Sequence, residues 1–267
     1  MFKKIYKFTF ILFFVLFLFF ISSISYSINI ETASINYSYY NYDYSSELYI
    51  SSSNKYEAVR RLETYPGYNM ARQIIQLPSE SDLKIPEGRN SAWNYCGVNN
   101  NYGINCEFGV GYQADFDKWL LFAVTPDYGW NYIENGSITF NPGEIITLTL
   151  IVLDNNIRCI VHDQQDNIVW DEIIPATGLS RSCYNGERVR LMTTLVLNNG
   201  FEIYSHNNRR FDAVISDGKT EQHFDGSQGI QTTETKYKGK SSEWVKIQSF
   251  QPYYDENINL EISFNKL

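Results

Sequence analysis

The sequence predicts an all-β protein, built as a two-sheet antiparallel β-sandwich of the jelly-roll kind. Three observations predict it. Beyond Met70, roughly a dozen short runs rich in Val, Ile, Thr, Tyr, Phe and Trp follow one another, each of strand length. Clusters of Asn, Asp, Gly and Pro separate them, the residues that tight turns require. Helical apolar spacing is almost absent there, and no repeat of fixed period points to a propeller. At 43% hydrophobic and 19% charged, the 267-residue chain is too apolar for global disorder and long enough for one large β domain or two small ones.

Residues 1–27 read as a secretory signal. Lys3, Lys4 and Lys7 form a positive start, and Phe10 to Ile21 is an unbroken apolar run of twelve. Ser23-Ile24-Ser25 and Ser25-Tyr26-Ser27 offer small-x-small cleavage patterns. As a helix the run reaches about 18 Å, short of the roughly 30 Å of bilayer hydrocarbon. The expectation is cleavage and export, with no membrane span in the mature chain. No Cys stands near the cleavage region to take a lipid.

Residues 28–68 read as an N-terminal extension. They hold nine of the 21 tyrosines, interleaved with Ser and Asn around Tyr37, Tyr39, Tyr40, Tyr42, Tyr44 and Tyr49. Packing on the main domain is the plainer use of such a segment. Tyr also offers adhesive area at low entropy cost, so assembly is the alternative. One helix is expected within it. Asn54 is a good N-cap, Glu57 stands at the capping-box spacing, and the run Lys55 to Glu63 stops before Pro66-Gly67.

Residues 69–267 form the expected sandwich domain. Arg72 to Leu77 is a short strand ended by Pro78, followed by Trp93 to Val98, Cys106 to Gln113 and Lys118 to Thr125. Ile138 to Phe140 leads into the Asn141-Pro142-Gly143 turn, and Ile145 to Leu153 is rich in β-branched residues. Asp154-Asn155-Asn156 signals a hairpin into Ile157 to His162, and Asp163 to Asn167 turns the chain into Ile168 to Ile174. Arg190 to Leu197, Phe201 to His206, Phe211 to Ser216, Glu243 to Phe250 and Ile258 to Phe264 complete the set.

Charge excludes some partners. Lys and Arg number 22 against 30 Asp and Glu, and loss of the leader's three lysines would leave 19 against 30. Nucleic-acid binding needs clustered cations to displace counterions, and docking on anionic lipid needs a polybasic patch. Neither is expected.

In an exported chain, Cys96, Cys106, Cys159 and Cys183 point to two disulfides. Of the three connectivities, Cys96–Cys106 and Cys159–Cys183 close the shortest loops, each worth about 3 kcal/mol in the chain-entropy model. A metal site is disfavoured: there is no CxxC, and His162, His206 and His223 show no ligand spacing. The sequence also lacks a GxSxG elbow, an HExxH helix, a phosphate-cradling glycine loop and an Asp-rich calcium loop. No metal or cofactor is expected. Asp217-Gly218 and Asp225-Gly226 read as turns, and Asn36-Tyr37-Ser38 and Asn135-Gly136-Ser137 match the glycosylation sequon.

The strongest candidate site lies on the strand Cys106 to Gln113. Strand alternation turns Cys106, Phe108, Val110 and Tyr112 to the core and Glu107, Gly109, Gly111 and Gln113 to the other face. Two glycines there leave room for a close approach, as the floor of a ligand groove would. The plainer alternative is a solvated face with a bend. Trp119, Trp130, Trp93 and Trp170 are the aromatic candidates, Trp130 in the loop Pro126 to Tyr132, dense in rings, with core packing the plainer use of each.

The order of segments resembles a known family. Ile74-Ile75-Gln76-Leu77-Pro78, then Ser91-Ala92-Trp93, then Glu107-Phe108-Gly109-Val110 is similar to the opening of the secreted glutamic peptidases. Tyr112 to Trp119 and the stretch to Trp130 resemble that family's Trp-rich groove strand. Asn141-Pro142-Gly143-Glu144 resembles its turn before a long strand. The resemblance spans residues 70–215 and implies a concanavalin A-like jelly roll with a groove on its concave face. The family's catalytic Gln position falls on Glu107. Its Glu position falls in Met192 to Leu197, which has no carboxylate, leaving Gln113 and Glu202 as the nearest substitutes. The dyad is therefore not preserved.

Three functions follow as expectations. The first is a secreted, non-catalytic module binding a glycan, a peptide or a cell-surface polymer through Glu107, Tyr112, Gln113, Trp119 and Trp130. The second is a hydrolase, a glutamic-type peptidase or glycosidase, with Glu107 as acid/base assisted by Gln113 or Glu202. The third is a surface protein assembling through the Tyr-rich segment.

Overall fold

The computed structural model describes residues 56–85, 92–197, 203–236, 245–251 and 255–263. Among these, strands take up most of the chain, and the helical elements are three single 3-10 turns. In chain order the strands begin with β1 (Tyr56–Thr64), β2 (Met70–Gln76), β3 (Leu83–Lys84), β4 (Ala92–Asn99), β5 (Asn105–Gln113) and β6 (Lys118–Thr125). There follow β7 (Gly129–Tyr132), β8 (Thr139–Phe140), β9 (Ile145–Leu153), β10 (Asn156–His162), β11 (Ile168–Pro175) and β12 (Arg188–Leu197). The last are β13 (Ile203–Ser216), β14 (Glu221–His223), β15 (Gly229–Lys236), β16 (Val245–Gln251) and β17 (Asp255–Ser263).

They form two sheets. The first runs β15-β1-β12-β4-β5-β6-β7, with β8 on β6. The second runs β11-β10-β9-β2-β13-β17-β16, with β3 and β14 on β13. Each pairing is antiparallel. The chain is thus an all-β antiparallel sandwich, as the alternating pattern predicts. Cys106, Phe108, Val110 and Tyr112 of β5 point inward with Trp119, Leu121 and Ala123 of β6. They meet Ile146, Leu148, Leu150 and Val152 of β9. Each large apolar side chain buried there contributes about 1.5–3 kcal/mol.

The segment expected as a helix, Lys55 to Glu63, is instead strand β1 from Tyr56 onward. Ala58 and Leu62 are buried against the other sheet, and β1 pairs along its length with β12 on one side and β15 on the other. Two ladders of backbone hydrogen bonds outweigh one capping box, whose Asn54 lies outside the described residues. Within the segment read as an N-terminal extension, Tyr56–Thr64 thus pairs into the first sheet, and residues 28–55 lie outside the described residues.

The expected disulfides are also corrected, since all four thiols are free. Cys106 stands opposite Val98 and Cys96 opposite Phe108. The two residues are therefore diagonal across neighbouring strands, their Cα atoms about 7–8 Å apart by sheet geometry, wider than a disulfide spans. Cys159 is fully buried on β10, while Cys183 sits in the surface turn after β11. Burial pushes the Cys96 and Cys106 thiols up to about 12.

One half of the interior is polar. Glu256 of β17 is fully buried between two guanidiniums. Arg60 of β1 donates from Nε and Nη2 at 3.2 and 2.8 Å, and Arg210 of β13 from Nη1 at 2.5 Å. Arg60 also donates to Gln231 and Arg210 to Gln73. Next along β13, the Asn208 amide donates to Asn94 at 2.7 Å, as does the Thr193 hydroxyl at 2.9 Å. His206 lies within 3.2 Å of the Thr194 carbonyl through Nδ1 and of the Asn94 amide through Nε2. A neutral ring with its proton on Nδ1 satisfies both contacts. Burial holds its pKa down to about 4.

Candidate functional site

The residues nominated from sequence do not come together. Trp119 and Tyr112 face the sandwich interior, Trp119 fully buried with its ring 5.4 Å from that of His206. The Tyr112 hydroxyl donates to Asp117 at 2.5 Å. Neither side chain can stack on an external ligand. The other face of β5 points away from the interior, as expected, but its glycines are covered. A Cβ on Gly111 would overlap the Trp93 ring, and one on Gly109 would overlap the β4 backbone at Tyr95. The room the two glycines leave is filled by this chain's own aromatics.

Those aromatics make a second, outer cluster on the first sheet. Trp93, Tyr95, Phe122, Met192 and Val59 are buried, and Trp130 and Tyr132 are half-buried against them. Trp130 stacks on Phe122 at 6.1 Å, and Tyr132 meets it edge-on at 4.8 Å. Gln113 is buried at one margin, accepting a bond from the Tyr132 hydroxyl at 3.4 Å. At the far end of β5, Glu107 pairs with Arg190 at 2.8 Å. Six residues of strand put Glu107 and Gln113 about 20 Å apart, so they cannot share one water. Glu202 lies outside the described residues.

A polar feature on the outer face of the second sheet went unread in the sequence. It is a cleft of about 530 Å³ beside β13, β17 and the end of β2. Asn257, Arg209 and Gln76 form one cross-strand row, and Asn259 and Asn207 the next. The carbonyl oxygens of Asn207 and Asn259 are shielded from solvent and accept no hydrogen bond. Arg209 lies 4.6 Å over the Phe211 ring and reaches Asp255 at 3.5 Å. Ser79 and Asp82 bond to each other at the rim, at 2.6 Å. The arrangement offers amide and guanidinium donors and amide carbonyl acceptors. Among the described residues, no three of His, Cys, Asp and Glu gather as a metal site.

A sequence signal for this cleft exists. Asn257-Ile258-Asn259-Leu260 alternates polar and apolar, which turns both asparagines to the same outer face of a strand. His206-Asn207-Asn208-Arg209-Arg210 is polar on both faces, the mark of a strand that lines an interior network and an outer surface at once.

No protein-family model matches the chain, and no curated protein does. The resemblance to the glutamic peptidases therefore gains no support from a family model. Among solved structures, a functionally unknown protein from Saccharomyces cerevisiae aligns at 12% identity and a TM-score of 0.32, over 52% of this chain and 74% of that one. CG-16, a homodimeric agglutinin from chicken liver, aligns at 10% identity and TM-score 0.29, over 54% and 96%. The Caenorhabditis elegans galectin LEC-6 aligns at 12% identity and TM-score 0.28, over 55% and 99%. Likenesses this slight carry no weight in the assignments that follow.

Proposed function

We propose that the chain is an exported, non-catalytic module that binds a glycan in the cleft on the outer face of its second sheet. The carrying observation is the cross-strand pair Asn207 and Asn259, lining the cleft beside Asn257, Arg209 and Gln76, whose side-chain carbonyl oxygens find no donor among the described residues. A shielded acceptor without a donor is unfavourable by about 1–3 kcal/mol. Rotation of either amide toward the cleft lets a ligand hydroxyl donate to its oxygen and accept from its NH2 group in return. Vicinal hydroxyls on a ring suit such closely set planar amides, and the cleft volume falls within the range of ligand sites.

The test is a glycan array probed with the full chain and with the double variant Asn207→Ala, Asn259→Ala. At about 1 kcal/mol per hydrogen bond, binding should weaken roughly thirtyfold. A second reading places the ligand on the opposite sheet, because Trp130 and Tyr132 keep part of their rings open to solvent. Trp130→Ala separates the two. Loss of binding in Trp130→Ala alone, with the double asparagine variant unaffected, would move the site to the aromatic face. An array with no bound glycan would end the proposal.

A further inference from the structure

A second cleft, of about 480 Å³, opens on the second sheet and is lined by Met70, Ile151, Arg158, Arg181, Ser216 and Lys219 among others. Register places it on the same face as the first. Ser216, Met70, Ile151 and Arg158 form one cross-strand row over β13, β2, β9 and β10. Asn257, Arg209 and Gln76 form the row at the first cleft. Met70 and Gln76 are both on β2, an even number of residues apart, so they share a face. Six residues of strand separate the rows by about 20 Å.

The ground between is polar and structured. Arg72 and Ile74 of β2 share that face and alternate with the buried Ala71, Gln73 and Ile75. Arg72 is held by Glu221 at 3.0 Å, and Asp212 of β13 by His223 at 2.8 Å. Arg158 is fixed by two bonds to Asp171, at 2.8 and 2.6 Å. Arg72 and Asp212 are thus held polar groups between the two recesses, with Ile74 and Val214 beside them, and Arg158 is held at the second.

From this we infer that the ligand is a linear oligosaccharide running along β2 and β13 into both clefts, rather than a single terminal sugar. The inference rests on the glycan reading above and extends it to ligand length. A single sugar fills one cleft. A chain that reaches the second makes that contact intramolecular, and its affinity rises by effective concentration with no change at the first site.

The experiment is titration calorimetry of the full chain with cello-, xylo- and chito-oligosaccharides, from disaccharide to octasaccharide. In the ladder that binds, affinity should climb at least tenfold from the disaccharide to the longest member and then level off. The double variant Arg181→Ala, Lys219→Ala alters exposed side chains at the second cleft, leaving the fold intact. It should remove that gain and leave disaccharide affinity as it was. The double variant Asn207→Ala, Asn259→Ala should weaken every length. Equal affinity at all lengths overturns the linear-chain inference and leaves the glycan reading standing. So does a gain that survives the second-cleft variant. If none of the three ladders binds, the linear-chain inference fails, and the array decides the glycan reading by itself.

Discussion

Glu256→Gln is the sharpest probe of how the sandwich is held. The Glu256 carboxylate is fully buried and accepts from Arg60 Nε and Nη2 and from Arg210 Nη1. Two guanidiniums share one carboxylate, so the cluster carries one net positive charge, and Arg210 Nη2 already lacks a partner. Removing the carboxylate leaves two buried cations with only neutral acceptors, Gln73 and Gln231. Removing one partner of a buried pair destabilises by about 3–5 kcal/mol. Glutamine keeps one oxygen to accept a bond, which sets the expectation near the lower end. For a domain of this size that is a fall in Tm of about 6–12 °C. Urea unfolding at pH 7, followed by the shift in midpoint at constant slope, measures it directly. Because the pair is out of solvent, added salt should leave the loss nearly unchanged. A loss below about 1 kcal/mol, or one that salt abolishes, would refute the buried-network argument.

Stability should fall on acidification before the carboxylates titrate. Burial depresses the folded pKa of His206 to about 4, against about 6.5 unfolded, so its contribution is full above pH 6.5 and lost as pH drops toward 4. The full loss is about 3 kcal/mol, read from urea midpoints across that window, and His206→Gln should flatten the slope. Gly111→Ala drives a methyl into the Trp93 ring and should destabilise by about 1–3 kcal/mol with a changed tryptophan emission spectrum; an unchanged spectrum and midpoint would contradict the packing. In a thiol assay, the native protein should react at Cys183 alone and the unfolded protein at all four cysteines. A reductant should leave Tm where it was, and fewer than four thiols after unfolding would restore a disulfide.

Much of the fold was legible because its strands obey a period of two against a greasy interior. Lys118–Thr125 and Ile145–Leu153 fall on the residues read from sequence, and the Asp154-Asn155 hairpin turns with Asn155 in the left-handed region at φ 57°. The misses have physical reasons. Tyr56–Thr64 carries Arg60 where a core strand should be apolar, and only the distant Glu256 makes that position tolerable. Gly129–Tyr132, Leu83–Lys84 and Glu221–His223 are short edge pieces without a run to betray them. Phe201 to His206 and Phe211 to Ser216 read as two strands. Ile203 to His206 and Phe211 to Ser216 belong to one, β13, whose register shifts between Arg210 and Asp212 and so hides its continuity. The site was less legible. Glycines in β5 signalled a close approach correctly, but sequence could not say that Trp93 and Tyr95 make it.

The polar interior and the outer cleft are two sides of the same strands. On β13, His206, Asn208 and Arg210 point in and Asn207 and Arg209 point out; on β17, Glu256 points in between Asp255 and Asn257. A slip of one residue in either strand would exchange the two sets. With apolar inward residues such a slip exposes some hydrophobic area. Here it would also carry Glu256 away from Arg60 and Arg210, leaving charges buried without partners. The network therefore penalises the wrong register more heavily than an apolar core of the same volume would. That is the best-attested use of buried charge, and it follows that interior variants such as Glu256→Gln should weaken ligand binding as well as stability. Replacing Arg60, Arg210 and Glu256 together by apolar residues of matching volume separates the two effects. Stability is expected to recover, and affinity at the cleft to recover less, because the register of β13 and β17 would then rest on His206, Asn208, Ile258 and Leu260 alone to keep Asn207, Arg209 and Asn257 on the outer face.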